Sequence, residues 1–159
     1  MRNCLTVALL LAAVASSASA QVLPSEGKKL PAAQSVLDML GSPMSKVFTT
    51  FGLPIDATPH GKKSPYVQLD YGHFTFSVRE KQVFECYVWS DLPGDSNLGF
   101  NFGDALDDAT KRLGKPQRTI TNADGDGVAD WNAPNKSRQI EMIFNPAKKC
   151  SGFGVMKGD

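Results

Sequence analysis

The residues best spaced for chemistry in this 159-residue chain are the oxygen-rich run NADGDGVAD at 122–130. Asn122, Asp124, Asp126 and Asp130 occupy positions 1, 3, 5 and 9 of a turn, and Gly127 falls where a calcium loop bends sharply. Calcium takes roughly six to eight oxygens, and alternate side chains of such a turn can converge to supply several of them. Asn122 brings no charge at position 1, and Ala133 at position 12 has no carboxylate to close a full helix-loop-helix site. Two readings follow: a solvated turn made of turn-forming residues, or a calcium site of the weak kind that suits extracellular modules, with Kd roughly 0.1–1 mM. No other cofactor is expected.

Nothing else in the chain reads as catalytic. His60 lies in a loop-like stretch and His73 on the polar side of a strand pattern, with no zinc spacing and no His-Asp-Ser arrangement. There is no G-x-S-x-G elbow, phosphate-cradling loop or dinucleotide fingerprint, so an enzyme is not expected. Cys86 and Cys150 are not in a C-x-x-C arrangement and read as structural, either a disulfide or two separate buried thiols. If Phe84, Cys86 and Val88 point inward, Tyr87 and Trp89 point outward beside Glu85. That pair would anchor a protein partner, unless a second layer covers it.

The N-terminus MRNCLTVALLLAAVASSASA combines Arg2, an apolar run from Leu5 to Val14 and the small residues Ala18-Ser19-Ala20. This is the pattern of a secretory signal peptide cleaved after Ala20. The apolar run is shorter than the roughly 20 residues of a membrane span, and no later segment comes near one. Cys4 stands at the wrong end of the segment to accept a lipid. The mature chain is therefore expected to be periplasmic or secreted, without membrane insertion. Of 17 basic and 16 acidic residues the signal segment 1–20 holds only Arg2, so the remainder is balanced, and nucleic acid is not an expected partner.

Residues 21–31 read as a flexible leader broken by Pro24, Gly27 and Pro31. A helix is predicted over AAQSVLDML and a second from Ser42-Pro43, with Ser42 as N-cap and Met44, Val47, Phe48 and Phe51 forming one apolar stripe. Alternation over 66–71, 73–78 and 83–89 predicts three antiparallel strands, and SDLPGDSN at 90–97 reads as a linker. The order then repeats. Gly41 and Gly103, Met44 and Leu106, Val47 and Ala109, Phe51 and Leu113, Gly52 and Gly114, and Pro54 and Pro116 are each 62 positions apart. Asp104 and Asp107 replace Ser42-Pro43 at the second helix start, and 129–131, 138–144 and 150–156 are the later strand candidates. With two inserted residues, Cys86 and Cys150 take equivalent places. The expected fold is α+β: two tandem units at 32–89 and 98–159, each a short helix plus a three-stranded antiparallel sheet.

The repeated run, followed by YVQLDY, FTFSV and VFECYVW, resembles the repeat of BamE (SmpA/OmlA) envelope proteins, and its tandem use is similar to the β-lactamase inhibitory protein. The resemblance implies binding of another protein rather than catalysis. The expected function is thus an exported, monomeric protein-binding module, either an envelope-maintenance factor or an inhibitor of a target enzyme, its partner unidentified. The alternative is a small secreted calcium-binding protein using the 122–130 loop.

Overall fold

The computed structural model describes residues 30–63, 65–89, 92–133 and 137–158. The signal segment 1–20 and nearly all of the leader lie outside the described residues. Helix α1 (Ala33–Leu37) buries Ala33, Val36 and Leu37. Helices α2 (Met44–Phe51) and α3 (Leu106–Leu113) are built by the two copies of the repeated pattern, and each buries its central small or branched residue, Val47 and Ala109. Both end at a glycine of positive φ, Gly52 at 85° and Gly114 at 84°, where a side chain would be strained.

The expected side-chain caps are not used. Pro43 and Ala105 hold the N-cap positions in extended conformation without a side-chain bond. Helix starts are satisfied by backbone instead: the Met44 amide donates to the Lys81 carbonyl at 2.8 Å and the Leu106 amide to the Lys148 carbonyl at 2.9 Å. Asp104, freed from capping, accepts from the Arg112 guanidinium at 2.7 Å.

The architecture departs from the expected pair of tandem units. The strands β1 (Asp56–His60), β2 (Tyr66–Asp70), β3 (Phe74–Arg79), β4 (Gln82–Val88), β5 (Arg118–Thr121), β6 (Gly127–Asn132), β7 (Arg138–Phe144) and β8 (Cys150–Lys157) form one sheet. Its order is β1-β2-β3-β4-β8-β7-β6-β5 and every pairing is antiparallel. Two tandem units with a three-stranded sheet each do not exist. The strands β1 and β5, absent from the sequence reading, form the two edges; they are almost wholly exposed and carry no apolar alternation. The halves join where β4 pairs with β8. Left apart, each of these strands would be an edge with unpaired amides and carbonyls, and each half would have a core too small to be secure. Pairing them removes both liabilities.

A single apolar core lies on one face of the sheet. Leu69, Phe74, Phe76, Cys86 and Val88 from one half meet Ala129, Trp131, Ile140, Met142, Phe153 and Val155 from the other, under the three helices. The Phe51 ring packs 5.2 Å from Phe74 and 5.6 Å from Phe76. The described part of segment 90–97 belongs to this packing: Leu92 and Ser96 are buried, and the Ala33 amide donates to the Pro93 carbonyl at 3.1 Å.

Cys86 and Cys150 are buried free thiols, not a disulfide. The bonds that tie each half's glycine turn to the sheet show why they are not equivalent. Gly41 donates to the carbonyl of Val83 and Gly103 to that of Cys150, so Cys150 corresponds to Val83. Cys86 lies opposite Val155, five residues along β8 from Cys150. At about 3.3 Å per residue that offset is roughly 16 Å, against a Cα spacing of about 4.4–6.8 Å across a disulfide. Burial pushes both thiols up, Cys150 to about 12 and Cys86 further.

Candidate functional site

Side chains alternate between the two faces of a strand, so the partners of the core residues mark out the opposite face, which carries no helix among the described residues. The register aligns one residue from every strand into an unbroken row there: Asp56, Asp70, Thr75, Tyr87, Gly154, Glu141, Asp130 and Arg118. A second polar row runs beside it through Gln68, Ser77, Glu85, Met156 and Gln139. On its other side lie Trp89, Gly152, Ile143, Val128 and Ile120. Trp89 and Ile120 are exposed at 40% and 52%.

The centre of this face is built around two glycines. A Cβ on Gly154 would stand 2.6 Å from ring carbons of Tyr87, so only glycine lets that ring cross β8. Having crossed, the Tyr87 hydroxyl donates to Glu141 Oε1 at 2.6 Å. The Trp89 ring stacks on Tyr87 with centroids 5.4 Å apart and planes at 16°, and lies over Gly152. Next along the row, Arg118 Nε donates to Asp130 Oδ2 at 2.5 Å. Asp130 is only 1% exposed, and among the described residues its other oxygen, Oδ1, has no hydrogen-bond donor unless the neighbouring Glu141 carboxyl is protonated. Glu141 is 7% exposed and directly opposite Asp130. In the neighbouring row the Ser77 hydroxyl donates to Glu85 Oε2 at 2.5 Å.

Electrostatics follow from this packing. Burial pushes the Glu141 carboxyl up to about 7; the Tyr87 hydrogen bond opposes the rise, while Asp130, by hydrogen bonding and charge, and Glu85, by charge, add to it. Two carboxyls facing one guanidinium favour retaining one proton, and a protonated Glu141 has Asp130 Oδ1 beside it as acceptor. Burial and the adjacent carboxylates push the Tyr87 hydroxyl far above its ordinary range, so it acts as a donor.

Of the residues singled out from the sequence, Tyr87, Trp89 and Asp130 fall on this face. Asn122, Asp124 and Asp126 do not accompany Asp130: they are exposed in the β5–β6 hairpin loop, which is closed by the Asn122 amide on the Asp126 carbonyl at 2.9 Å. No group of three or more His, Cys, Asp or Glu able to hold a metal occurs among the described residues. His60 stacks on Tyr66, 5.2 Å away, at the sheet edge. Glu141, Arg118 and Gly154 escaped the sequence reading. The available signal was Glu141 itself, an acid set between Ile140 and Met142 in an apolar strand.

No family model matches the chain and no curated protein matches it. Among solved structures, it is similar to an extracellular protein containing a SCP domain from Bacillus anthracis, with TM-score 0.54 and 12% identity over 88% of this chain and 50% of that one. It is similar also to a DUF4309 family protein from Bacillus subtilis, with TM-score 0.51 and 13% identity over 81% of this chain and 87% of that one. A cysteine-rich secretory protein from Staphylococcus aureus aligns with TM-score 0.53 and 10% identity over 76% of this chain and 45% of that one. The chain thus spans half the length of the first and less of the third. At these identities the likeness concerns the fold alone. It overturns the resemblance to BamE and β-lactamase inhibitory protein repeats, since the structural neighbours are SCP-domain and DUF4309 proteins of a sheet-rich fold. The short repeated motif encodes a helix start and a glycine stop, which unrelated folds also need. Two of the three neighbours are extracellular or secretory by their own descriptions.

Proposed function

We propose that this chain is an exported protein-binding module that takes its partner on the open face of the sheet. The observation that carries this reading is the stacked Tyr87–Trp89 pair, held flat across two glycines with Trp89 40% exposed. Aromatic side chains fixed in one conformation supply large contact area at low entropic cost, which is why they dominate binding hot spots. Ile120, Val128 and Ile143 extend the apolar strip beside them. Export rests on the leader sequence and agrees with the descriptions of two structural neighbours.

The test is capture from envelope and culture-medium extracts with residues 21–159 as bait, in wild-type and Trp89→Ala forms, followed by chemical cross-linking. The expected result is a protein retained by wild type, cross-linked to the open face and lost with Trp89→Ala. Cross-links confined to the helix-covered face, or equal retention by both baits, would refute the proposal.

A further inference from the structure

One end of the sheet is charged unlike the rest of the chain. The register brings together there the last residues of β1, β3 and β8 and the first of β2, β4 and β7. Among the described residues this rim carries Lys62, Lys63, Arg79, Lys81, Arg138 and Lys157 against one acid, Glu80. The whole chain, by contrast, holds 17 basic and 16 acidic residues. Surface lysines alone make no site, but three further features converge on Arg79.

The first is a bulge. Val83 pairs with Val78 and Glu85 with Ser77, which leaves Phe84 as an extra residue in β4. The bulge turns Phe84 out of the apolar core, where strict alternation with Cys86 and Val88 would place it. Its ring instead meets Tyr66, with centroids 5.5 Å apart and planes at 84°, and Arg79 Cζ lies 4.5 Å from its centroid. Tyr66 is backed in turn by the stacked His60. These rings hold the guanidinium in place and take none of its N–H donors. The second feature is that no acid takes them either. Glu85 accepts from the Ser77 hydroxyl, and neither Arg79 nor Lys157 has a hydrogen-bond or ion-pair partner among the described residues. The third is an open cleft of about 290 Å³ lined by Arg79, Glu80, Gln82, Val83, Phe84 and Lys157. The tight turn Glu80-Lys81, with φ of 51° and 65°, sets Arg79 directly opposite Gln82 across it.

We propose that this cleft receives the carboxylate of an aspartate or glutamate side chain presented by the partner protein. This rests on the open face being the docking surface, since Tyr66 shares that face with Gln68 and Asp70, and it adds the chemistry of one contact. Charge selects the ligand: Arg79 and Lys157 less Glu80 leave one net positive charge on the lining, which a single carboxylate neutralises. A phosphate dianion would stay in excess beside Glu80. The guanidinium fork matches a planar carboxylate, and the Lys157 ammonium and Gln82 amide bring further donors to the same cleft. Val83 and Phe84 give an apolar wall to the methylene stem. The volume lies at the bottom of the roughly 300–1,000 Å³ typical of small-molecule pockets, so it suits a side chain. Lys62, Lys63, Lys81 and Arg138 around the rim draw an acidic segment towards it.

The experiment titrates residues 21–159 with a blocked tetra-glutamate peptide at pH 7 and low ionic strength, following backbone amide shifts, for wild type, Arg79→Gln, Lys157→Gln and Lys63→Gln. The expected result is shifts centred on Arg79, Gln82 and Phe84, absent with tetra-glutamine. Arg79→Gln and Lys157→Gln should each bind about tenfold more weakly. Lys63→Gln removes the same charge from the rim without touching the cleft, so it should change affinity by about twofold or less. Equal weakening by all three substitutions would overturn the cleft in favour of diffuse attraction. The same shifts from inorganic phosphate at lower concentration than the peptide would overturn the carboxylate, and sodium acetate binding as tightly as the peptide would replace a partner's side chain by a small free acid. Absence of shifts at the cleft would overturn the proposal outright. That outcome is distinct from failure of the docking surface, which the Trp89→Ala capture judges separately.

Discussion

Replacing Glu141 by Gln should make the protein more stable at alkaline pH, an unusual outcome for the loss of a buried charged residue. The folded protein holds the Glu141 proton up to about 7, against 4.5 for the ordinary group. A carboxyl raised in this way binds its proton more tightly in the native state, so its contribution is fully present below about 4.5 and is lost as pH climbs to 7. At about 1.4 kcal/mol per unit the displacement corresponds to about 3 kcal/mol. Solvent reaches the network through the exposed Arg118 side, and its neighbours share the titration, so roughly 2 kcal/mol is the working figure. Gln cannot ionise, and its amide can still accept from Tyr87 and donate to Asp130 Oδ1. Urea denaturation of both proteins at pH 4.5, 6, 7 and 8.5, followed by circular dichroism, isolates the difference from all other titrating groups. The two stabilities should lie within about 0.5–1 kcal/mol at pH 4.5, and the variant should lead by about 2 kcal/mol at pH 8.5. Parallel curves, or a variant that is weaker at pH 8.5, would refute the account of a buried acid pair sharing one proton.

Four further outcomes are expected. Gly154→Ala should cost about 1–3 kcal/mol in urea denaturation, because the new Cβ meets the Tyr87 ring at 2.6 Å and the Cys86 carbonyl at 2.8 Å; an unchanged midpoint would mean that Tyr87 does not cross β8. In residues 21–159, Cys86 and Cys150 should be inert to a thiol reagent in the native state and both reactive in guanidinium, whereas recovery of a disulfide from non-reducing peptide mapping would contradict their separation. Millimolar calcium should leave Tm unchanged, because Asp130 is bound to Arg118 on the sheet while Asp124 and Asp126 are exposed in the hairpin loop; a rise abolished by Asp126→Ala would establish the loop as a calcium site. A fragment of residues 30–89 should associate or aggregate through the uncovered edge of β4, and a stable monomer by sedimentation would show that the β4–β8 seam is dispensable.

What could be read from the chain alone was whatever its short-range pattern encodes. Alternation of apolar residues placed β2, β3 and β4 and, more faintly, β6 to β8, because a strand with one buried face must repeat every second residue. The spaced glycines marked where α2 and α3 stop, since the positive φ at Gly52 and Gly114 is a local steric demand. The outward aim of Tyr87 followed from the same alternation. The edge strands β1 and β5 left no such trace: with both faces solvated, nothing constrains their side chains to alternate, and only pairing with β2 and β6 makes them strands. The joining of β4 to β8 is likewise a matter of which edge meets which, and it merged what reads as two units into one sheet. It also separated Cys86 from Cys150, because antiparallel register along the seam put Val155 opposite Cys86. Tyr87 and Glu141 are 54 positions apart, and Asp130 and Arg118 are 12 apart. Their meeting depends on four strand pairings holding register across the sheet, a long-range condition that no local spacing in the sequence can express.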